Sequence, residues 1–517
     1  MRGQHLFIKF VSYYLERKIM STPQTITLMQ RKVLLNILNE FKHKPWGRHF
    51  HLDQINGIDE FGLKIAATTD IDYWPLITEL LEHNPKGFIQ TTRLDYMAKT
   101  SGSTQKSKYI PYTKNLIKNF KSFSSRTFFH FSHVLKRYDL LDQNILVSPS
   151  HLKTEENQMG IHIGYATAIM TLLAPKFSQK VVKPSKHILA IDNNSKKIDA
   201  MIEEAIDLDI RVFSSVPAFA TVILEKLFEK AHQRGKEVQT IKDIWPNLSL
   251  YTWSGTSIAP YESRLRHFLG GDIPFMEIYS ATESPIAFQY KKKAGELYLD
   301  VESCFYQFQK AEKDLKSKKI TLGQVEVGQK YRILITTKGG LFCYYLGDII
   351  EFTSLCPPLI KVIGREKEEL NLAGIEQLSV DHLKRFLCKL ESRYHMDLKK
   401  FAVSFYIKDN KKGYHWIFEQ KTIDLSSETG HKLLDSLDKD LMEFNSGYKL
   451  ARDANTRLIA PKMSLIPEGS LNEYLLKYKN FGQAKFLNIH NDDSEIKQLF
   501  NFLKENNMQW SEYYLND

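Results

Sequence analysis

The chain has 517 residues, 43% of them hydrophobic and 25% charged, which is an ordinary globular composition. Its length allows about two to four domains and a large core without covalent staples, so wholesale disorder, a collagen-like repeat and a disulfide scaffold are excluded. The net charge of +11 favours a polyanion as partner, whether nucleotide, nucleic acid or anionic membrane surface, without choosing among them.

Residues 1–25 are predicted to be an N-terminal extension. Residues 6–15 (LFIKFVSYYL) are apolar but interrupted by Lys9, and no small-residue cleavage site follows, so a secretory signal is not expected. A basic amphipathic surface helix is one interpretation of this stretch. The interpretation we favour is an irregular extension ahead of the fold.

Apolar spacing predicts a helix over residues 26–43. Strands and helices then alternate, which indicates an α/β architecture. The predicted elements are a strand at 209–213, a helix from Pro217, a strand at 247–253, a helix at about 260–269 and a strand at 274–279. Residues 157–175 lack acids and bases but contain polar, glycine and proline residues, so we expect buried core rather than stable membrane insertion.

Three short segments rich in β-branched residues predict a second, more antiparallel sheet region, at 331–337, 348–355 and 359–363. After Gly364 the pattern changes to helical and strand patches separated by polar runs. We therefore place a domain boundary at 365–367, with a large domain at 26–365 and a smaller α+β domain at 366–517.

Several familiar signatures are absent from the sequence, namely GxxxxGK[ST], GxGxxG, GxSxG and HExxH. The four cysteines form no CxxC pair, so we expect no zinc knuckle and a reduced, cytoplasmic setting. His130 and His133 have a spacing that suits a metal, but the flanking sequence FFHFSHVLK favours a core or groove helix.

Residues 100–108 (TSGSTQKSK) combine hydroxyl side chains, one glycine and two lysines. Such a loop offers backbone N–H groups, hydroxyl donors and positive charge, which are the groups that hold phosphate oxygens. Taken alone, the segment is more typical of a solvated turn rich in serine and lysine.

Two further segments stand at predicted strand ends, where open α/β sheets bind ligands. In Tyr279–Glu283 (YSATE), an aromatic ring can stack on a base and a carboxylate can hold Mg²⁺ against phosphates. In Tyr344–Asp348 (YYLGD), the carboxylate can accept from ribose hydroxyls. Each could instead be a plain turn, and the same choice holds for residues 253–256 (WSGT) after a predicted strand.

The order and spacing of these segments resemble the adenylate-forming superfamily of acyl-activating enzymes. Residues 100–108 are similar to its T-S-G-[ST]-T-G-x-P-K loop apart from Gln105 and Ser107. Residues 279–283 resemble its aromatic-G-x-T-E motif, and residues 344–348 its Y-x-T-G-D motif. Residues 364–374 resemble its G-R-x-D-D-x-I-K-x-x-G motif, with Gly364, Arg365, Leu370 and Gly374 in register.

Within that superfamily the chain resembles the Gretchen Hagen (auxin-responsive) family of acyl acid–amido synthetases, as a bacterial-type member. The likeness rests on residues 96–112 (YMAKTSGSTQKSKYIPY), 336–355 (TTKGGLFCYYLGDIIEFTSL) and the ending at 467–471 and 482–485. It covers roughly residues 28–490. The family's Pro-Arg after its late lysine is replaced here by Phe486-Leu487.

The resemblance implies a large adenylate-forming α/β domain, with β-sheets flanked by helices and a small β-barrel-like region, and a smaller mobile C-terminal domain hinged at 366–367. It implies ATP and Mg²⁺ as cofactors. The implied site residues are Ser101, Gly102, Ser103, Thr104 and Lys108 on the phosphates, Tyr279 and Gly255 near adenine, Thr282 on the α-phosphate, Glu283 on Mg²⁺, Asp348 and Arg365 on the ribose, and Lys485 as the catalytic lysine.

The implied activity is ATP-dependent activation of a carboxylic acid as acyl-AMP, followed by transfer to an amine, here an amino acid. A thiol acceptor, coenzyme A or a carrier-protein arm, is the alternative, and a catalytically degenerate nucleotide-binding protein is a further one. We expect a monomer with no specific nucleic-acid partner. The sequence leaves the acid and its acceptor unidentified.

Overall fold

The chain is described by a computed structural model that covers most of its length. The described residues are 2–99, 108–147, 154–174, 178–191, 193–255, 258–259, 261–292, 295–311, 317–365, 369–370, 372, 376, 378–394, 396–398, 400–408, 411–421, 426–453, 458–478, 486, 488–490 and 493–515. They divide into two compact units, the first formed by residues 1–362 and the second by most of the chain from 363 onward.

The first unit alternates helices and strands, which confirms the predicted α/β class. Its helices are α1 (Arg2–Ile19), α2 (Pro23–Phe41), α3 (Pro45–Arg48), α4 (Ile58–Lys64), α5 (Asp70–Glu82), α6 (Lys114–Leu135), α7 (Ala166–Leu172), α8 (Ser178–Val181), α9 (Lys186–Leu189), α10 (Asn194–Ala205), α11 (Pro217–Gln233) and α12 (Glu262–Leu269), with 3₁₀ turns at Leu52–Gln54, Ile241–Asp243 and Leu322–Gln324.

The strands of this unit are β1 (Tyr96–Lys99), β2 (Tyr109–Pro111), β3 (Asn144–Val147), β4 (Glu155–Glu156), β5 (His162–Gly164), β6 (Val182–Lys183), β7 (Ile210–Ser214), β8 (Leu250–Ser254), β9 (Phe275–Ser280), β10 (Pro285–Gln289), β11 (Leu297–Leu299), β12 (Cys304–Lys310), β13 (Ile320–Thr321), β14 (Lys330–Thr337), β15 (Tyr344–Leu355) and β16 (Pro358–Arg365). Strands β1, β2, β4 and β5 form a small separate sheet in the order β2-β1-β5-β4.

The other twelve strands form one sheet in the order β13-β12-β14-β15-β16-β11-β10-β9-β8-β7-β3-β6. Pairing is parallel from β6 to β9 and antiparallel from β9 onward. The prediction of a second sheet for the strands after residue 330 is therefore wrong in one respect. These strands are antiparallel as expected, but they continue the parallel sheet because β10 and β11 join the two halves edge to edge.

The N-terminal segment is the clearest departure from the sequence-based expectation. Residues 2–19 form helix α1 instead of an irregular extension. Ile8, Ser12 and Ile19 are buried, and the helix packs against α6. Because the apolar run was short and broken by Lys9, the sequence did not show that one side of the helix has a partner elsewhere in the chain.

Gln30 on α2 fixes that helix to the antiparallel half of the sheet. Its side-chain Nε2 donates to the carbonyl oxygens of Val301 and Cys304 at 2.7 and 2.8 Å, and its Oε1 accepts from the backbone N–H of Tyr306 at 2.9 Å. With 4% of its surface exposed, this amide satisfies three backbone groups that water does not reach.

The second unit is smaller and is built on its own sheet. Its helices are α13 (Val380–Tyr394), α14 (Ser427–Phe444), α15 (Ser446–Asp453), α16 (Ser470–Tyr478) and α17 (Ser494–Glu505), and its strands are β17 (Glu369–Leu370), β18 (Leu378–Ser379), β19 (Phe401–Lys408), β20 (Lys411–Gln420), β21 (Leu458–Pro467) and β22 (Ser511–Tyr514). The sheet order is β19-β20-β21-β22, with only the β20–β21 pair parallel among them. This mixed sheet with helices confirms the predicted α+β character.

Replacing Gln30 by methionine is expected to destabilise the protein by about 3 kcal/mol. The apolar side chain fits the space but leaves the carbonyls of Val301 and Cys304 and the N–H of Tyr306 buried without partners, and each such group costs about 1–3 kcal/mol. Urea unfolding checks this, with Gln24→Met as a control on the exposed side of the same helix. Equal unfolding midpoints for the two variants would contradict the role given to Gln30.

Candidate active site

The candidate site begins at the hairpin between β9 and β10, where parallel pairing ends. Ser280 pairs with Pro285, and the N–H of Ala281 donates to the carbonyl of Ser284 at 3.0 Å. The turn therefore holds Thr282 and Glu283 at the C-terminal end of the last parallel strand, which is the edge where open α/β sheets bind ligands. Glu283 is 8% exposed, so its carboxyl lies in a largely water-poor setting.

Asp348 is placed by an irregularity in β15. Tyr345 pairs with Leu334 on β14, and Ile349 pairs with Arg332, so β15 carries two more residues than its partner over this stretch. Gly347 lies within the bulge with φ of 89°, a conformation that side chains rarely adopt. Asp348 follows directly and is 3% exposed, so the glycine allows the strand to redirect a buried carboxylate.

A hydrogen bond joins these two places. The hydroxyl of Tyr279, near the end of β9, donates to Oδ2 of Asp348 at 2.5 Å. Strands β9 and β15 are four steps apart in the sheet order, a separation of about 19 Å if the sheet were flat. The sheet therefore curls strongly at this end and brings the two motifs together.

The segment that follows residues 100–107 reaches the same place. The hydroxyl of Tyr112 donates to the carbonyl of Thr282 at 3.0 Å. Nζ of Lys108 lies 3.4 Å from the hydroxyl of Tyr344 and 3.0 Å from Oδ1 of Asp70. We call the residues at these contacts, together with the adjacent Glu283, the three-motif cluster: Asp70, Lys108, Tyr112, Tyr279, Thr282, Glu283, Tyr344 and Asp348.

The electrostatics of the cluster follow from its burial. Burial and, to a smaller degree, the charge of Glu283 raise the pKa of Tyr112 well above its usual value, so this phenol stays neutral and can donate. Glu283 directly follows Thr282, whose carbonyl accepts the hydrogen bond from Tyr112. A single carboxylate together with substrate phosphates is a common way in which proteins hold Mg²⁺.

A neighbouring pair on the sheet combines Trp253, from the segment 253–256 noted above, with Glu277, which was not identified from the sequence. Glu277 pairs in register with Trp253 on β8 and lies two residues before Tyr279 on β9. Burial raises the pKa of Glu277 to about 7. The indole Nε1–H of Trp253 is buried and has no hydrogen-bond partner in the described part of the chain. The available signal was one carboxylate within an otherwise apolar strand (PFMEIY).

The remaining predicted site residues are placed as follows. Gly255 comes directly after β8 with φ of 90°, at the same edge as the hairpin. Arg365 is the last residue of β16 and is counted with the second unit. Ser101, Gly102, Ser103, Thr104 and Lys485, together with the hinge at 366–367, lie outside the described residues.

Of the histidine pair on α6, His130 is buried in the core and His133 is only partly buried. Nδ1 of His130 lies 3.0 Å from the carboxylate of Glu16, and Nε2 lies 3.0 Å from the carbonyl of Tyr290, so both ring nitrogens are occupied. Among the described residues, no three His, Cys, Asp or Glu side chains gather in a way that could hold a metal ion by themselves.

Comparison with solved structures identifies the fold. The chain superposes on an acyl acid amido synthetase, AtGH3.15, in complex with 2,4-DB, with a TM-score of 0.79, 16% identity and 98% of both chains covered. It also superposes on 2-hydroxyisobutyryl-CoA ligase in complex with 2-HIB-AMP, with a TM-score of 0.55, 11% identity and 93% and 92% of the two chains covered. The chain therefore shares its fold with these two enzymes.

The chain belongs to the GH3 family, which confirms the Gretchen Hagen resemblance. Models of the GH3 N-terminal, central and C-terminal domains match residues 17–202, 297–365 and 381–494. A jasmonoyl–L-amino acid synthetase, GH3.5 of Oryza sativa subsp. japonica, is 26% identical over 56% of this chain and 52% of that enzyme. An indole-3-acetic acid-amido synthetase, GH3.10 of Arabidopsis thaliana, is 28% identical over 32% of this chain and 31% of that enzyme. The matched stretch thus spans about half or less of these curated relatives.

Replacing Glu277 by glutamine is expected to raise stability more at pH 8 than at pH 5. With a folded-state pKa near 7 and an ordinary value of 4.5, the native carboxyl keeps a proton that the unfolded chain releases, so wild-type stability falls as pH rises across this range. Glutamine does not titrate. In urea unfolding, the free energy of unfolding gained by the substitution should be about 2 kcal/mol larger at pH 8 than at pH 5.

The control for this prediction is Glu237→Gln, at an exposed carboxylate in a loop. It should give the same difference from wild type at both pH values. A gain for Glu277→Gln that does not change with pH would contradict a buried, proton-retaining carboxyl.

Proposed function

We propose that the protein is an ATP-dependent ligase that activates a carboxylic acid as an acyl-adenylate and transfers the acyl group to an amine, in particular an amino acid. The observation that supports this is the three-motif cluster, in which the hydrogen bonds of Tyr112, Lys108 and Tyr279 join three segments far apart in sequence. Its donors and carboxylates stand at the sheet edge where a nucleotide would be bound.

The carboxylic acid must be activated before an amine can attack it, because an oxide is a poor leaving group from a carboxylate. An oxygen of the carboxylate attacks the α-phosphorus of ATP, a P–O bond breaks, and pyrophosphate leaves. The amine then attacks the acyl carbonyl, AMP leaves with the C–O bond electrons, and the amine proton passes to solvent. Negative charge spreads over phosphate oxygens in the first step, so positioning and cationic or hydrogen-bond stabilisation supply most of the catalysis.

The described residues suit the nucleotide end of this reaction. Asp348, a buried carboxylate that already accepts from Tyr279, would accept from the ribose hydroxyls, and Tyr279 would lie against adenine. Thr282 is held by Tyr112 at its carbonyl, which leaves its side chain to contact the α-phosphate. Glu283 would hold Mg²⁺, which supplies charge neutralisation for the phosphates.

The remaining roles rest on the motifs alone. Residues 101–104 with Lys108 would bind the β- and γ-phosphates, Gly255 would leave room at the adenine edge, and Arg365 would assist at the ribose. Lys485 would act at the α-phosphate and acyl oxygens during adenylation only.

An amine is favoured over a thiol as acceptor. The family relatives are named for amide products, formed with amino acids in the case of the Oryza sativa enzyme. A coenzyme A ligase shares the fold at 11% identity, which keeps a thiol acceptor as the alternative to be tested.

The test of the function is ATP–pyrophosphate exchange by the purified protein with Mg²⁺ and pooled carboxylic acids. Exchange that depends on one pool would support adenylation and begin to identify the acid. Amino acids and coenzyme A, added in parallel reactions, separate the two acceptors by the mass of the product. Absence of ATP binding would overturn the nucleotide site altogether.

Replacing Glu283 by glutamine is expected to lower acid-dependent exchange by about 100-fold or more, because a neutral amide is a poor ligand for Mg²⁺ in place of a carboxylate. The hairpin is held by backbone hydrogen bonds, so the thermal midpoint should change little. Glu237→Gln, at an exposed carboxylate, is the matched control. Unchanged exchange in Glu283→Gln would remove this residue from the proposed site.

Replacing Asp348 by asparagine is expected to raise the KM for ATP by about 10- to 100-fold, the equivalent of one charge-assisted hydrogen bond of about 1.5–3 kcal/mol. The turnover at saturating ATP should change much less, because the ribose is remote from the reacting phosphorus. Asp199→Asn, a carboxylate paired with Lys226 on the surface, is the control. A loss confined to kcat would argue for a role in chemistry instead.

A further inference from the structure

Helix α1 is anchored on one side by specific contacts. Its Ile8, Ser12 and Ile19 are buried, and three pairs of polar side chains fix its direction. The pairs are His5 with Asp142 at 2.7 Å, Glu16 with His130 at 3.0 Å and Lys18 with Glu302 at 2.7 Å. These contacts are distributed along the whole helix, so its opposite side is presented in one orientation.

That opposite side is apolar and exposed. Its large side chains are 53–71% exposed, and we call them the α1 stripe: Leu6, Phe7, Phe10, Tyr13 and Tyr14. Their spacing of i, i+1, i+4, i+7 and i+8 places them on one side of a helix about 27 Å long. Five of the 17 large hydrophobic residues exposed in the described chain fall within these nine positions, and such clustering marks an interaction surface.

The exposed charged residues that α1 itself carries next to the α1 stripe are basic. Lys9 and Arg17 are exposed, and the guanidinium of Arg17 lies over the ring of Tyr13 at 4.9 Å. The single acid among residues 1–20 is Glu16, and it is directed inward to His130. An aromatic and aliphatic stripe with basic side chains and no acid is the composition of a helix that lies at a lipid–water interface.

Charge also decides between a membrane and a second copy of the chain. In a two-fold pair through the α1 stripe, Lys9 and Arg17 would meet the same residues of a molecule that carries +11 overall. A surface of anionic lipids offers opposite charge to both residues and an apolar layer to the rings. Within the described residues no helix is long and apolar enough to cross a membrane, so α1 would lie on the bilayer.

We infer that α1 docks the protein on the surface of an anionic lipid bilayer. The α1 stripe enters the boundary between headgroups and acyl chains, and Lys9 and Arg17 contact lipid phosphates. The match to the GH3 N-terminal domain begins at residue 17, so the stripe precedes the part of the chain that the family model covers. Docking through the stripe goes beyond the proposed ligase activity.

The test is sedimentation of the full-length protein with vesicles of phosphatidylcholine, with or without about one third phosphatidylserine. The wild type should sediment with the anionic vesicles, bind neutral vesicles far less, and lose most of its binding at high salt. The double variant Phe7→Ser/Phe10→Ser should reduce binding to anionic vesicles by about 10-fold or more, since two large side chains no longer enter the bilayer.

The matched control is Leu63→Ser/Val327→Ser, which removes two exposed apolar side chains, 85% and 58% exposed, from outside α1. It should bind as wild type does. Lys9→Glu should weaken binding to anionic vesicles and leave binding to neutral vesicles unchanged. Because all these positions are on the surface, the thermal midpoint of every variant should match that of the wild type.

Two results would overturn the inference. One is a wild-type protein that fails to sediment with anionic vesicles, or a stripe variant that sediments equally well. The other is a dimer in light scattering that the stripe variant dissociates, with no lipid binding by either protein, which would assign the surface to a second copy.

Discussion

Residues 280–285 reverse the chain between the last parallel strand and the first antiparallel strand of a single sheet, and the candidate site is built around that reversal. Parallel strands all end at the same side of a sheet. To start the next parallel strand, the chain must cross back to the opposite side through a long connection. The hairpin between β9 and β10 returns it in four residues. Thr282 and Glu283 thereby reach the ligand edge on a turn whose backbone is fixed by ladder hydrogen bonds on both sides.

The hydrogen bonds around this turn connect segments that are 69, 170 and 236 residues apart in sequence. Each contributes only about 1 kcal/mol by itself. Together they link three segments in a closed ring of contacts. Tyr112 bonds to the hairpin, Tyr279 on the hairpin strand bonds to β15, and Lys108 connects β15 back to the segment of Tyr112. Groups fixed in this way need little further ordering when a substrate binds, which is the usual source of positional catalysis. The bulge at Gly347 is what allows β15 to take part.

Sequence analysis predicted the secondary-structure elements that local residue patterns define. Strands β7, β8, β9 and β14 and helix α12 were placed to within a few residues, because their apolar runs and flanking breakers are local features. The motifs of the candidate site were identified because residue type and order can be read from the sequence without knowing which strands pair. Gln30, Asp70 and Glu277 were missed because each acts through a partner on a distant element. The single twelve-stranded sheet was missed for the same reason, since its halves are joined through β10 and β11 by pairings such as that of β11 with β16, which is distant in sequence.

The charge of the chain illustrates the same limit. A net charge of +11 was compatible with a nucleotide, a nucleic acid or a membrane, because net charge does not show where in the structure the basic residues lie. The structure shows which basic groups serve the fold, such as Lys18 against Glu302 and Arg126 against the buried Asp300. Lys108 stands within the three-motif cluster, whereas Lys9 and Arg17 border an exposed apolar stripe. We propose a phosphate-bearing partner at both places. The polar donors around Lys108 favour a nucleotide there, and the aromatic rings beside Lys9 and Arg17 favour a lipid surface.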